Sequence, residues 1–83
     1  MKLGDVFVNE ILSICFYKNF VYMEVLIEDN NDKDILRHNV IRVQGVENKP
    51  FGEVHYLNKE KSQYKTKESW LVKIEEINNF IKS

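Results

Sequence analysis

The sequence predicts an α+β fold: a meander of four or five antiparallel strands with one C-terminal helix packed on one face. Three observations carry this. First, Ile11 to Glu28, ILSICFYKNFVYMEVLIE, alternates so that two strands fold back on each other around Lys18-Asn19. Second, polar stretches at 28–34, 45–52 and 58–65 divide short apolar runs from one another. Third, Trp70, Ile74, Ile77 and Ile81 recur at the spacing of one helical stripe.

In chain order, Gly4-Asp5 signals a turn and Val6 to Val8 a short strand. That Gly-Asp-Val-Phe-Val opening also suits an alternative fold, a small SH3-like β-barrel ending in a strand and a short helix. Asn9-Glu10 marks a bend or bulge before the hairpin. With the turn at Lys18-Asn19, Phe16 faces Val21, Ile14 faces Met23 and Leu12 faces Val25, an all-apolar face. The opposite face is mixed: Ile11, Ser13, Cys15 and Tyr17 against Leu26, Glu24, Tyr22 and Phe20.

The acidic stretch after Glu28 reads as a solvated loop. From Ile35 to Gln44 the apolar phase flips near Asn39-Val40. A bulge or break there would restore one inward face and point Arg37 and Arg42 outward on the same side. Residues 45–52 form a loop in which Pro50 cannot donate to a ladder. Glu53 to Leu57 is a further short strand.

Thr66 to Lys82 reads as the helix, with Thr66 as N-cap and Glu68 and Lys82 complementing the dipole. Val72 lies opposite its stripe. The rival reading makes Trp70, Val72 and Ile74 one face of a final strand. The economical packing lays the helix on the all-apolar hairpin face. This leaves Tyr17, Phe20 and Tyr22 to solvent, to a rolled-over sheet or to a partner.

Eighty-three residues make one small domain, residues 1–83, that buries about 60% of its unfolded surface and is stable by about 5 kcal/mol. An apolar fraction of 43% and a charged fraction of 30% describe an ordered, water-exposed domain. A formal charge of −1 gives no global attraction to nucleic acid or anionic membrane. Cys15 is the only cysteine, which points to a reducing, cytoplasmic setting. No run approaches the ~20 apolar residues of a membrane span, and the start has no signal-peptide core. Ten lysines against two arginines, with many Asn and Ile, suggest an AT-rich genome such as that of a low-GC bacterium, its phages or its mobile elements.

Catalytic chemistry finds no support. Cys15 sits mid-strand among apolar neighbours, and no base or nucleophile elbow accompanies it. Cys15, His38 and His55 have no metal-ligand spacing, and the 29–34 loop lacks the glycine of a calcium loop. Glycines at 4, 45 and 52 form no phosphate cradle. The expectation is a non-enzyme without cofactor or metal.

Two binding functions remain. Protein–protein contact would use the aromatic and arginine residues that most often anchor interfaces: Tyr17, Phe20, Tyr22, Arg37 and Arg42. The competing role for those aromatics is packing beneath the 45–52 or 58–65 segment. The expected function is that of a small inhibitor or regulator of phage or mobile-element type, acting on another protein. The alternative is a nucleic-acid-binding β-module using Lys59, Lys61, Tyr64, Lys65 and Lys67, with the aromatic face as stacking platform. Against it, a lysine-rich turn is most often only a solvated turn.

Overall fold

The structure, a computed structural model, describes residues 2–3, 6–44 and 53–82. Five antiparallel strands, β1 (Lys2–Leu3), β2 (Val6–Tyr17), β3 (Phe20–Glu28), β4 (Leu36–Gln44) and β5 (Glu53–Tyr56), precede one helix, α1 (Lys67–Lys82). The strands β2, β3 and β4 follow one another as a meander. Strand β5 then returns to the far side of β2, which it shares with the short β1. Among the described residues β4 pairs only with β3, so the sheet is open and β4 is its edge. The fold is the expected α+β meander with a terminal helix. The 45–52 loop and the Gly4-Asp5 turn lie outside the described residues.

The hairpin turns at Lys18-Asn19, with Lys18 at a φ of 54°. That left-handed conformation ordinarily favours glycine or asparagine. Phe16 pairs with Val21 and Ile14 with Met23, as the alternation predicts. Leu12 does not pair with Val25; Ile11 does, because Leu12 is an extra residue bulged from β2. A second bulge falls at Asn9, where a bend is expected. Two bulges in twelve residues bend the long strand and raise its twist.

The helix does not lie on the all-apolar hairpin face. It packs on the mixed one, where Cys15, Tyr22, Trp70 and Ile74 form a buried cluster. Tyr17, Phe20, Val40, Val54, Tyr56, Tyr64, Leu71 and Ile77 pack around them. Hydrogen bonding accounts for this choice. A buried indole N–H or phenol O–H needs a partner, and the apolar face offers none. On the mixed face Trp70 Nε1 donates to Ser13 Oγ at 3.1 Å, and Tyr22 Oη donates to Asn78 Oδ1 at 3.0 Å. On the other side of the sheet Val21 and Val25 are buried while Ile14, Phe16, Met23, Ile41 and Val43 are half-buried.

Helix α1 covers Trp70 to Ile74 without a break, which excludes the terminal strand over those residues. Its start is a reciprocal cap. Thr66 Oγ1 accepts from Ser69 N–H at 3.1 Å, and Ser69 Oγ accepts from Thr66 N–H at 3.2 Å. Val72 stands exposed opposite the stripe.

Strand β4 pairs with β3 in unbroken register from Leu36–Glu28 to Gln44–Phe20. There is no bulge at Asn39-Val40. Arg37 and Arg42 therefore point to opposite sides of the sheet, not to the same side. The phase flip has a simpler cause: Val40 lies on the helix side and Ile41 and Val43 on the other, and both sides carry apolar groups.

Candidate functional site

A groove of about 570 Å3 lies between β4 and α1. Asn39, Val40 and Arg42 form its floor and sheet-side wall, and Lys73, Glu76, Ile77, Phe80 and Ile81 form its helix wall. Val40 and Ile77 close the bottom against the core. Phe80, 81% exposed, and Ile81, 48% exposed, stand at the rim. These apolar side chains sit beyond the last core residue of the stripe, Ile77, because the helix runs on past the edge of the hydrophobic cluster.

Arg42 forms the other rim. Its guanidinium lies over the Phe20 ring, 4.4 Å from the centroid, and Phe20 meets Tyr22 edge-on at 6.5 Å. Cation–π stacking holds the arginine in place, and its guanidinium also reaches the Tyr22 phenol. Lys73 Nζ lies 3.7 Å from Glu76 Oε2, so the only acid of the groove is already paired within the helix.

The residues expected to form a protein-binding face are thus separated. Tyr22 is fully buried, and burial pushes its phenol above the ordinary value. Tyr17 and Phe20 are half-buried around the same cluster. Arg37 is on the opposite side of the sheet, 3.1 Å from Asp29 Oδ1. Only Arg42 lines the groove, with the Phe20 ring stacked against its guanidinium. Val40, Ile77, Phe80 and Ile81 go unremarked in the sequence reading as site residues. The available signal is Phe80, an aromatic residue off the helical stripe.

The lysine segment is partly committed to structure. Lys61 Nζ meets Glu10 Oε2 at 3.1 Å, and that contact holds the Glu10 carboxyl below its usual value. Lys59 Nζ lies 5.5 Å from the Tyr56 ring centroid, and Tyr64 packs on Trp70 with centroids 4.9 Å apart. Lys65 and Lys67 are exposed. Lys67 joins Tyr17, Lys18 and Lys82 in lining a second groove of about 540 Å3, on the hairpin-tip side of the helix.

Beneath the lysine segment lies a buried carboxylate. Glu24 is fully buried and accepts from Ser13 Oγ at 2.7 Å, from Ser62 Oγ, and from Gln63 N–H at 2.7 Å. His38 Nε2 lies 3.3 Å from the Lys61 carbonyl and 3.9 Å from Glu24 Oε2. Every oxygen of this acid faces a donor, so the cluster anchors residues 58–64 to the sheet. Cys15 is buried beside it, and burial pushes its thiol from 9.0 up to about 11, away from nucleophilic use. Among the described residues, no group of three or more His, Cys, Asp or Glu is placed to hold a metal ion, and no helix is long and apolar enough to cross a membrane. No family model matches the chain, and no curated or structurally solved protein matches it significantly.

Proposed function

We propose that this chain is a small non-enzymatic binding protein, of the inhibitor or regulator kind, that engages another protein through the groove between β4 and α1. One observation carries the reading. A nine-residue sheet edge runs beside a helix that holds Phe80 and Ile81 out to solvent. Apolar groups at a groove rim, flanked by a stacked arginine, have the composition of an interface anchor. The test is site-specific photo-crosslinking in cells, with the reactive group at position 80 or at position 72. Val72 is also an exposed apolar residue of the helix but lines the other groove, beside Tyr17 and Lys18. The expectation is a discrete adduct from position 80 that disappears with Arg42→Glu and is absent from position 72. Equal adducts from both positions, or none from position 80, would overturn the reading.

A nucleic-acid role has one specific observation in its favour, the groove lined by Tyr17, Lys18, Lys67 and Lys82. Anisotropy with single-stranded DNA, duplex DNA and RNA over a salt series tests it. Binding that weakens steeply with salt and is lost with Lys67→Glu and Lys82→Glu would favour it over protein contact.

A further inference from the structure

We infer that the partner segment at the β4–α1 groove is an extended, acidic stretch of polypeptide that adds to β4 as a new edge strand. This rests on the binding reading above and says what enters the site.

The backbone supplies the first reason. Asp29 N–H donates to the Ile35 carbonyl at 3.0 Å, which fixes odd-numbered residues as those bonding across to β3. The even-numbered residues Leu36, His38, Val40 and Arg42 therefore turn N–H and C=O outward. The Val40 N–H agrees, since it bonds to the Asn39 side chain at 2.9 Å and not to β3. An unpaired strand edge is a template for another strand.

Side chains supply the second reason. On a strand, alternate side chains share a face. Val40 and Arg42 point toward the helix, so every second side chain of an added strand enters the groove beside Ile77, Phe80 and Ile81. Those positions suit apolar residues.

Charge supplies the third. The strand from Leu36 to Gln44 carries Arg37, His38 and Arg42 and no acidic residue, in a chain whose formal charge is −1. An acidic strand meets Arg42 and Lys73 on the helix side, while Arg37 on the other side is already paired with Asp29. A second copy of β4 would bring only further arginines and no acidic residue to the seam, so it offers no complementary charge, whereas an acidic strand does. Charged residues also protect an edge from aggregation, and here both effects have the same origin.

Asn39 makes the inference sharp. An incoming carbonyl must displace Asn39 Oδ1 from the Val40 N–H. Removing that competitor should tighten strand addition.

The experiment selects peptides from a random displayed library against the full-length chain, then measures the best synthetic binder by anisotropy. The expected winners alternate apolar and acidic residues. N-methylation of the peptide backbone at alternate positions should weaken binding by about tenfold or more, Phe80→Asp should do the same, and Asn39→Ala should tighten it several-fold. Trp70 fluorescence checks that each variant is folded. Winners without acidic residues, indifference to N-methylation, or an empty selection would overturn strand addition. If the position-80 adduct still forms in that case, the groove binds its partner in another geometry. If the adduct also fails, both readings fall.

Discussion

Glu24→Gln is the substitution that most directly probes how this fold is held shut. The native carboxylate accepts three hydrogen bonds, two from serine hydroxyls and one from the Gln63 amide, with the residue fully buried. Hydrogen bonds to a charged acceptor contribute about 1.5–3 kcal/mol each. Glutamine keeps the shape but has one acceptor oxygen. If that oxygen serves the serines, the amide NH2 meets the Gln63 N–H, donor against donor. If it serves Gln63, the NH2 faces two hydroxyls, one of which already accepts from Trp70. Either arrangement loses at least one strong bond. The neutral amide costs less to bury, which offsets part of the loss. The net expectation is a destabilisation of about 2 kcal/mol, against a total near 5 kcal/mol for a chain of this size. This corresponds to a fall in Tm of about 10–15 °C. Trp70, the only tryptophan, is fully buried and bonded to the same cluster, so urea unfolding followed by its fluorescence reads the change. A Glu24→Gln protein within about 0.5 kcal/mol of the native one would refute the assignment of the carboxylate as the anchor of residues 58–64.

Three further outcomes follow from the same geometry. Lys18→Gly should stabilise the protein by up to about 1 kcal/mol, because it relieves a left-handed φ; a loss in urea midpoint would mean that the Lys18 contact with the Tyr17 ring outweighs the strain. The buried Tyr56 hydroxyl has no partner among the described residues, so Tyr56→Phe should be neutral or stabilising by about 1 kcal/mol in the same assay, and a clear loss would reveal a missing acceptor or donor. Burial raises the Cys15 thiol from 9.0 to about 11 and raises Tyr22, Tyr56 and Tyr64 above their usual values as well. The folded state then holds protons that the unfolded chain releases, so stability is complete below pH 9.0 and falls as pH rises toward 11. The thiol alone accounts for about 2–3 kcal/mol of that fall. Stability measured across this range should slope downward, and Cys15→Ala should flatten part of the slope. A flat profile for the native chain would contradict a buried thiol.

The hairpin was legible because its determinants are local. Turn residues and alternation identify Phe16–Val21 and Ile14–Met23, and the bulges at Leu12 and Asn9 displace the pairing beyond them. The helix was legible for the same reason, down to its Thr66 cap. Its docking face was not. Ser13 and Glu24 look solvent-facing by composition, yet their partners Trp70, Ser62 and Gln63 lie 38 to 57 residues away in sequence, and no local spacing shows such a match. Strand β4 misleads in another way. Its phase flip mimics a bulge because apolar residues line both sides of a regular strand. The groove at its edge depends on where the helix ends relative to that strand, which is a property of docking and not of any one segment.

The separation between Glu24 and its donors also bears on how the chain is made. Synthesis delivers the hairpin first, at about 5–20 residues per second. Ser13, Cys15, Tyr22 and Glu24 then emerge on a sheet face whose covering segment does not yet exist. Gln63 follows Glu24 by 39 residues, and Trp70 follows Ser13 by 57. For several seconds the nascent polypeptide presents a wet, charged patch in the middle of its future core. The Glu24 carboxylate stays solvated there until Ser62, Gln63 and the Trp70 indole arrive to enclose it and Ser13.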